Sequence, residues 1–90
     1  MTPEQRANLE LSSTAFSQLE QTLSTADAKI IRDYIFEHNE WGLGMETLVD
    51  VILEQDIAIS PDQKQAVLTA MSAMGLQRSQ EKIRVSKRLL

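Results

Sequence analysis

The stretch EHNEWGLGMETLVDVILE, residues 37–54, decides the fold. Stepped at 100° per residue, Met45, Leu48, Val49 and Ile52 fall on one side of a helix. Glu46, Asp50 and Glu54 fall on the other, four residues apart each time. The pattern predicts an amphipathic helix that begins around Glu40–Leu43 and runs to about Glu54. Just before it sit the only histidine, His38, the only tryptophan, Trp41, and two of the three glycines, Gly42 and Gly44. That gathering of rare residues poses a choice between a ligand loop and a corner between two helices.

A ligand loop is disfavoured. Gly42-Leu43-Gly44 lacks the third glycine of a dinucleotide-binding turn and the Lys-Ser/Thr of a P-loop. The surrounding carboxylates would repel phosphate. Glycines at the start of a helix more often mark a tight approach to a neighbouring backbone. His38 is placed at the end of the preceding helix, where its cation would favour the negative end of the dipole. Trp41 is either a core plug closing the corner or a half-exposed anchor of the kind that makes interface hot spots.

Outward from this stretch, cap signals mark the other helices. Thr2-Pro3-Glu4 reads as a helix start, with Thr2 as cap and proline at the first position. Leu9, Ala15, Phe16, Leu19 and Leu23 follow at helical spacing, and the cluster Ser12-Ser13-Thr14 is expected to weaken or bend that helix. Ser24 and Asp27 open a second helix ending near His38-Asn39, with Ile30, Ile31, Tyr34 and His38 on its inner face and Ile35 on the flank. Ser60-Pro61-Asp62-Gln63 is a capping box with proline at the first position. Val67, Ala70, Met71 and Met74 form the apolar face of that fourth helix, which Gly75 ends and Leu76 follows. Residues 77–90, QRSQEKIRVSKRLL, are basic and compatible with either a short strand or a helix. The expected architecture is all-α: a small bundle of four helices, or five, with residues 1–76 as the helical domain and 77–90 as a basic tail or short terminal element.

Composition removes several functional classes. The chain has 90 residues and no cysteine, so disulfide frameworks, thiolate chemistry and cysteine-based zinc sites are excluded. The absence of cysteine fits a reducing cytoplasm. The opening MTPEQRANLE has no positive region ahead of an apolar core, so no secretory signal is expected, and no apolar run approaches the length of about 20 residues that spans a bilayer. Asp50 and Glu54 lack the histidine partners of a di-iron bundle and the turn of a calcium loop. No metal, cofactor or catalytic residue is expected.

The charge layout is the strongest functional signal. The net charge is −4, but residues 1–60 carry 11 acids against 3 Lys/Arg, while residues 61–90 carry 2 acids against 6 Lys/Arg. From Asp33 to Asp56 there are seven acids and no Lys or Arg. Like charges at i, i+4 cost a helix roughly 0.2–0.5 kcal/mol per pair, and Glu46–Asp50 and Asp50–Glu54 are two such pairs. An ordinary solvated face is the bland explanation. The functional one is an acidic face built to meet a basic partner, such as the phosphate-binding surface of a nuclease. The candidate partner-binding residues are Glu37, Glu40, Trp41, Glu46, Asp50, Glu54 and Asp56. Arg78, Lys82, Arg84, Lys87 and Arg88 raise a nucleic-acid reading, but the tail has no stacking aromatics and the rest of the chain is acidic. Such a terminus is more often solvated, or paired with its own acidic surface.

From Asp33 to Leu76 the chain resembles small bacterial immunity proteins of the MafI type and their contact-dependent growth inhibition relatives. The resemblance rests on Glu40, Trp41, Gly42, Leu43, Met45 and Glu46, then Leu48 and Asp50, then Ile57, Ile59 and Ser60, and finally Met74, Gly75 and Leu76. It covers about half of the chain, and Gly44 stands where the family pattern has alanine. The resemblance implies a non-enzymatic protein that binds and blocks the C-terminal toxin domain of a delivered effector. The toxins of such proteins include ribonucleases, among them EndoU-type tRNA-cleaving domains. The rival from another class is a helical adaptor or homodimer that uses Met45, Met71 and Met74 as an adaptable surface.

Overall fold

A computed structural model describes residues 1–85, with the backbone alone at Val85. The order is α1 (Pro3–Leu19), a 3-10 turn (Glu20–Thr22), α2 (Thr25–Arg32), a π turn (Asp33–Glu37), α3 (Trp41–Glu54), α4 (Pro61–Ala73) and α5 (Gln77–Val85). Among the described residues every regular element is helical, as the periodicity predicts, and none is long and apolar enough to cross a membrane.

The caps explain the boundaries. The Thr2 hydroxyl accepts from the Gln5 N–H at 3.1 Å, and the Gln5 side chain accepts from the Thr2 N–H at 2.9 Å. Ser60 and Gln63 repeat this reciprocal pair at the start of α4. The Gln63 amide also donates to the Gln18 carbonyl at 3.0 Å, which ties the start of α4 to α1. Ser24 caps α2 through the Asp27 N–H. The Ser12-Ser13-Thr14 cluster does not interrupt α1. The Ser12 hydroxyl donates back to the carbonyls of Asn8 and Leu9, so it is buried without an orphaned polar atom.

Helix ends show a common device. Gly75 adopts φ +69°, and Leu76 N–H reaches back to the Met71 carbonyl while Gly75 N–H reaches Ser72. This is a Schellman closure, expected from Gly75-Leu76. Asp56, at φ +53°, closes α3 in the same way, with Ile57 N–H donating to the Ile52 carbonyl at 3.0 Å. Asn39, also at φ +53°, closes the π turn, and Glu40 N–H reaches the Tyr34 carbonyl at 2.8 Å.

Helix α3 is the centre of the bundle and touches α1, α2, α4 and α5. Met45, Leu48, Val49 and Ile52 are fully buried, as their spacing predicts. They meet Phe16 and Leu19 from α1, Ile31 from α2, Ile35 from the π turn, Val67 and Met71 from α4, and Ile83 from α5 in one core. One expectation needs correction. The inner face of α2 is Ala28, Ile31 and Ile35, not Ile30, which is 48% exposed; Tyr34 is half-buried and His38 exposed. Residues 77–85 form the fifth helix that the sequence left open, with Ile83 fully buried in the shared core. Residues 86–90, including Lys87 and Arg88, lie outside the described residues.

Candidate partner-binding face

The corner between α2 and α3 is built by the π turn and one close contact. The His38 N–H donates to the Asp33 carbonyl at 3.0 Å, a five-residue step that widens the last turn. It brings Ile35 inward and leaves residues 36–40 exposed. His38 occupies the helix terminus that its place in the sequence predicts. Gly44 then lets α3 approach: a Cβ there would lie 2.9 Å from Ile35 Cγ1 and 3.4 Å from Tyr34 Cβ. The neighbour is thus the π turn's side chains rather than a backbone. The absence of a side chain at Gly44, where the resemblance leads one to expect alanine, has a local packing cause.

Trp41 is the first residue of α3. It is half-buried, packs against the core, and has its indole Nε1 shielded from solvent without an acceptor among the described residues. It packs against the core and stays half exposed, which is compatible with both roles its sequence position allows.

The acids divide into three groups. Glu37 and Glu40 are exposed at the corner. Glu46, Asp50 and Glu54 run along α3, and the rise of 1.5 Å per residue sets Glu46 and Glu54 roughly 12 Å apart. Asp56 lies past the helix end, where its backbone closes α3, and its side chain is engaged elsewhere in the structure. The sequence therefore predicts one surface, and the structure gives a corner and a stripe that together span about 20 Å.

The stripe is not wholly uncompensated. The Lys82 ammonium from α5 stands 3.5 Å from the Asp50 carboxylate, both side chains about half exposed. Arg78 and Lys82 line, with Glu46 and Asp50, an open groove of about 380 Å³ between α3 and the start of α5. Arg78 and Lys82 thus face the chain's own acidic surface, while Arg84 pairs with Glu81 within α5. Glu37, Glu40, Glu46 and Glu54 have no cationic partner among the described residues. On α2 the cations are engaged: Lys29 pairs with Asp33 at 2.8 Å, and Arg32 pairs with Glu20. The Lys29 hydrogen bond holds the Asp33 carboxyl below its ordinary value.

Sequence reasoning missed Phe36 and Leu43, which are 47% and 44% exposed. The signal was present: with Ile31 and Ile35 inward, Phe36 is carried to the flank. It was masked by assigning the inner face to Ile30 and Tyr34. The methionine surface invoked for an adaptor does not exist, because Met45 and Met71 are fully buried and Met74 packs against the core. Among the described residues no group of three or more His, Asp or Glu is arranged to hold a metal ion. Comparisons with protein-family models, curated proteins and solved structures find no match to this chain.

Proposed function

We propose that this chain is an immunity-type inhibitor that docks, through the α2–α3 corner and the acidic stripe of α3, on a basic surface of a cognate toxin domain in the cytoplasm. The toxin class favoured is a ribonuclease, whose RNA-binding surface must be basic. The observation that carries the reading is the interval from Asp33 to Asp56, which has no Lys or Arg and leaves Glu37, Glu40, Glu46 and Glu54 exposed and unpaired among the described residues. This layout costs stability. Glu54 lies in the last turn of α3 and Asp56 just past it, against the negative end of the dipole, where cations are preferred. Charge retained at a local cost is what a surface selected for a partner would show, and it would speed encounter with that partner.

The open reading frame immediately upstream is expected to end in a toxin domain, and its absence there counts against the proposal. The test is titration of that domain with the wild-type chain and with the triple variant Glu37→Lys, Glu40→Lys, Glu46→Lys. The reading expects submicromolar binding that the reversals weaken by on the order of 100-fold at low salt and by less near 300 mM salt. Equal affinity of the two proteins at low salt removes this face as the interface.

Homodimerisation is the second reading, and the exposed Phe36 and Leu43 are the observation in its favour. A two-fold dimer through the corner would set Glu37 and Glu40 against their own copies. Sedimentation equilibrium separates the two: a monomer at about 100 μM is expected for the inhibitor.

A further inference from the structure

Two of the large apolar side chains left in solvent flank the same corner. Phe36 is 47% exposed at its start and Leu43 is 44% exposed in the first turn of α3. Phe36 is held in place. Its ring meets the Phe16 ring nearly edge-on, with centroids 6.5 Å apart. Phe16 is itself a core residue, 3% exposed, and the Arg32 guanidinium lies 5.7 Å from its ring centroid. Arg32 is fixed in turn by Glu20. The exposed ring is therefore oriented before any partner arrives, which lowers the ordering cost of binding. Glu37 adjoins it in sequence and Glu40 follows three residues on, both exposed and without a cationic partner among the described residues.

We infer that Phe36, supported by Leu43, is the apolar anchor of the partner interface, and that it enters the base-stacking slot of an RNA-cleaving domain while Glu37 and Glu40 meet the cations that otherwise hold phosphates. The inference rests on the immunity reading above. Sites for single-stranded nucleic acid combine a flat apolar slot for a base with lysines and arginines for the backbone. A fixed aromatic ring beside exposed carboxylates offers both chemistries from one short segment. A second copy of this chain would oppose like charges instead. Trp41 is half-buried and packs against the core, so it offers a partner less free surface than Phe36.

The probe is the toxin domain that the proposed function expects, carrying fluorescein-labelled tRNA, titrated with wild type, Phe36→Ala, Phe36→Leu and Leu43→Ala, each first shown to be folded by its thermal melt. Wild type is expected to displace the tRNA. Phe36→Ala is expected to bind on the order of 30-fold more weakly, Phe36→Leu less so, and Leu43→Ala several-fold. These losses persist near 300 mM salt, unlike those of the charge reversals. If wild type binds and Phe36→Ala stays within about threefold of it, or wild type binds without displacing tRNA, the inference is overturned and the immunity reading stands. If Phe36→Ala fails to fold, Phe36→Leu and Leu43→Ala decide, and affinities for both within about threefold of wild type overturn the inference. If wild type does not bind at all, both readings fall.

Discussion

Placing a methyl group at Gly44 and, separately, at Gly42 tests the geometry of the corner. Both glycines lie in the first turn of α3, two residues apart. Alanine gains helix propensity of up to about 1 kcal/mol over glycine, less near a helix end. At Gly42 the new Cβ meets only Leu76 Cδ2 at 3.8 Å, an ordinary contact. Gly42→Ala should therefore stabilise by a few tenths to about 1 kcal/mol. At Gly44 the new Cβ falls 2.9 Å from Ile35 Cγ1, and Ile35 is fully buried and branched at Cβ, so it has nowhere to turn. Overpacking of this kind costs about 1–3 kcal/mol, which exceeds the propensity gain. Net destabilisation by Gly44→Ala of roughly 1–2 kcal/mol lowers the Tm by about 5–10 °C in a domain this small, while Gly42→Ala raises it by about 4 °C. Thermal and urea unfolding followed by circular dichroism at 222 nm measures both. If Gly44→Ala melts at or above wild type, α3 does not approach the π turn as described, and the argument for the missing side chain fails.

Other features give independent outcomes. Gly75 has no atom within 4 Å of a would-be Cβ, so Gly75→Ala should cost about 1 kcal/mol through its φ of +69° alone, and Gly75→Asn should recover part of that in urea melts. Ile83→Ala should destabilise by about 2–5 kcal/mol, because Ile83 is fully buried; a loss below about 0.5 kcal/mol would show that α5 does not pack into the core. The half-exposed Lys82–Asp50 pair, at 3.5 Å, should show a coupling of only about 0–1 kcal/mol in a double-mutant cycle, screened by salt. The Asp33 carboxyl is depressed mainly by the Lys29 hydrogen bond. Its contribution to stability is thus present above the unfolded value and disappears as pH falls through the folded one. Lys29→Met should move its NMR titration midpoint upward, and an unmoved midpoint would remove Lys29 as the cause.

The legible parts of the sequence were those carried by local chemistry. Thr2, Ser24, Ser60 and Gly75 announce their helix ends because a cap needs only neighbours three or four residues away. The buried side of α3 was legible because Met45, Leu48, Val49 and Ile52 recur at helical spacing opposite Glu46, Asp50 and Glu54, although Val51, also buried, lies outside that set. In α2 several apolar residues crowd together. Ile30, Ile31, Tyr34, Ile35 and Phe36 permit more than one inner face, and the choice falls to packing against α3. The π turn has no propensity signature, since it follows from the fit of Ile35 beside Gly44. Among the described side chains of α5, Ile83 is the one buried apolar anchor, so the periodicity is too sparse to separate helix from strand. The candidate site was half legible for the same reason. Carboxylates can be counted along a chain, but the Lys82 that offsets Asp50 comes from a distant segment. Phe36 is recognised as exposed only after α2 has been turned correctly.

Trp41 carries a consequence of an optical kind. It is the chain's only tryptophan, its Nε1 is cut off from water, and it begins the helix that follows the corner. With its ring half-buried and only Nε1 fully shielded, the indole emits at a wavelength between those of a buried and a fully solvated tryptophan. The protein thus contains a label-free reporter at the end of α2 and the start of α3, and red-shifted emission marks the moment the corner opens. Because Gly42, Gly44 and the π turn surround that fluorophore in the chain, a disturbance at the corner will register in its spectrum.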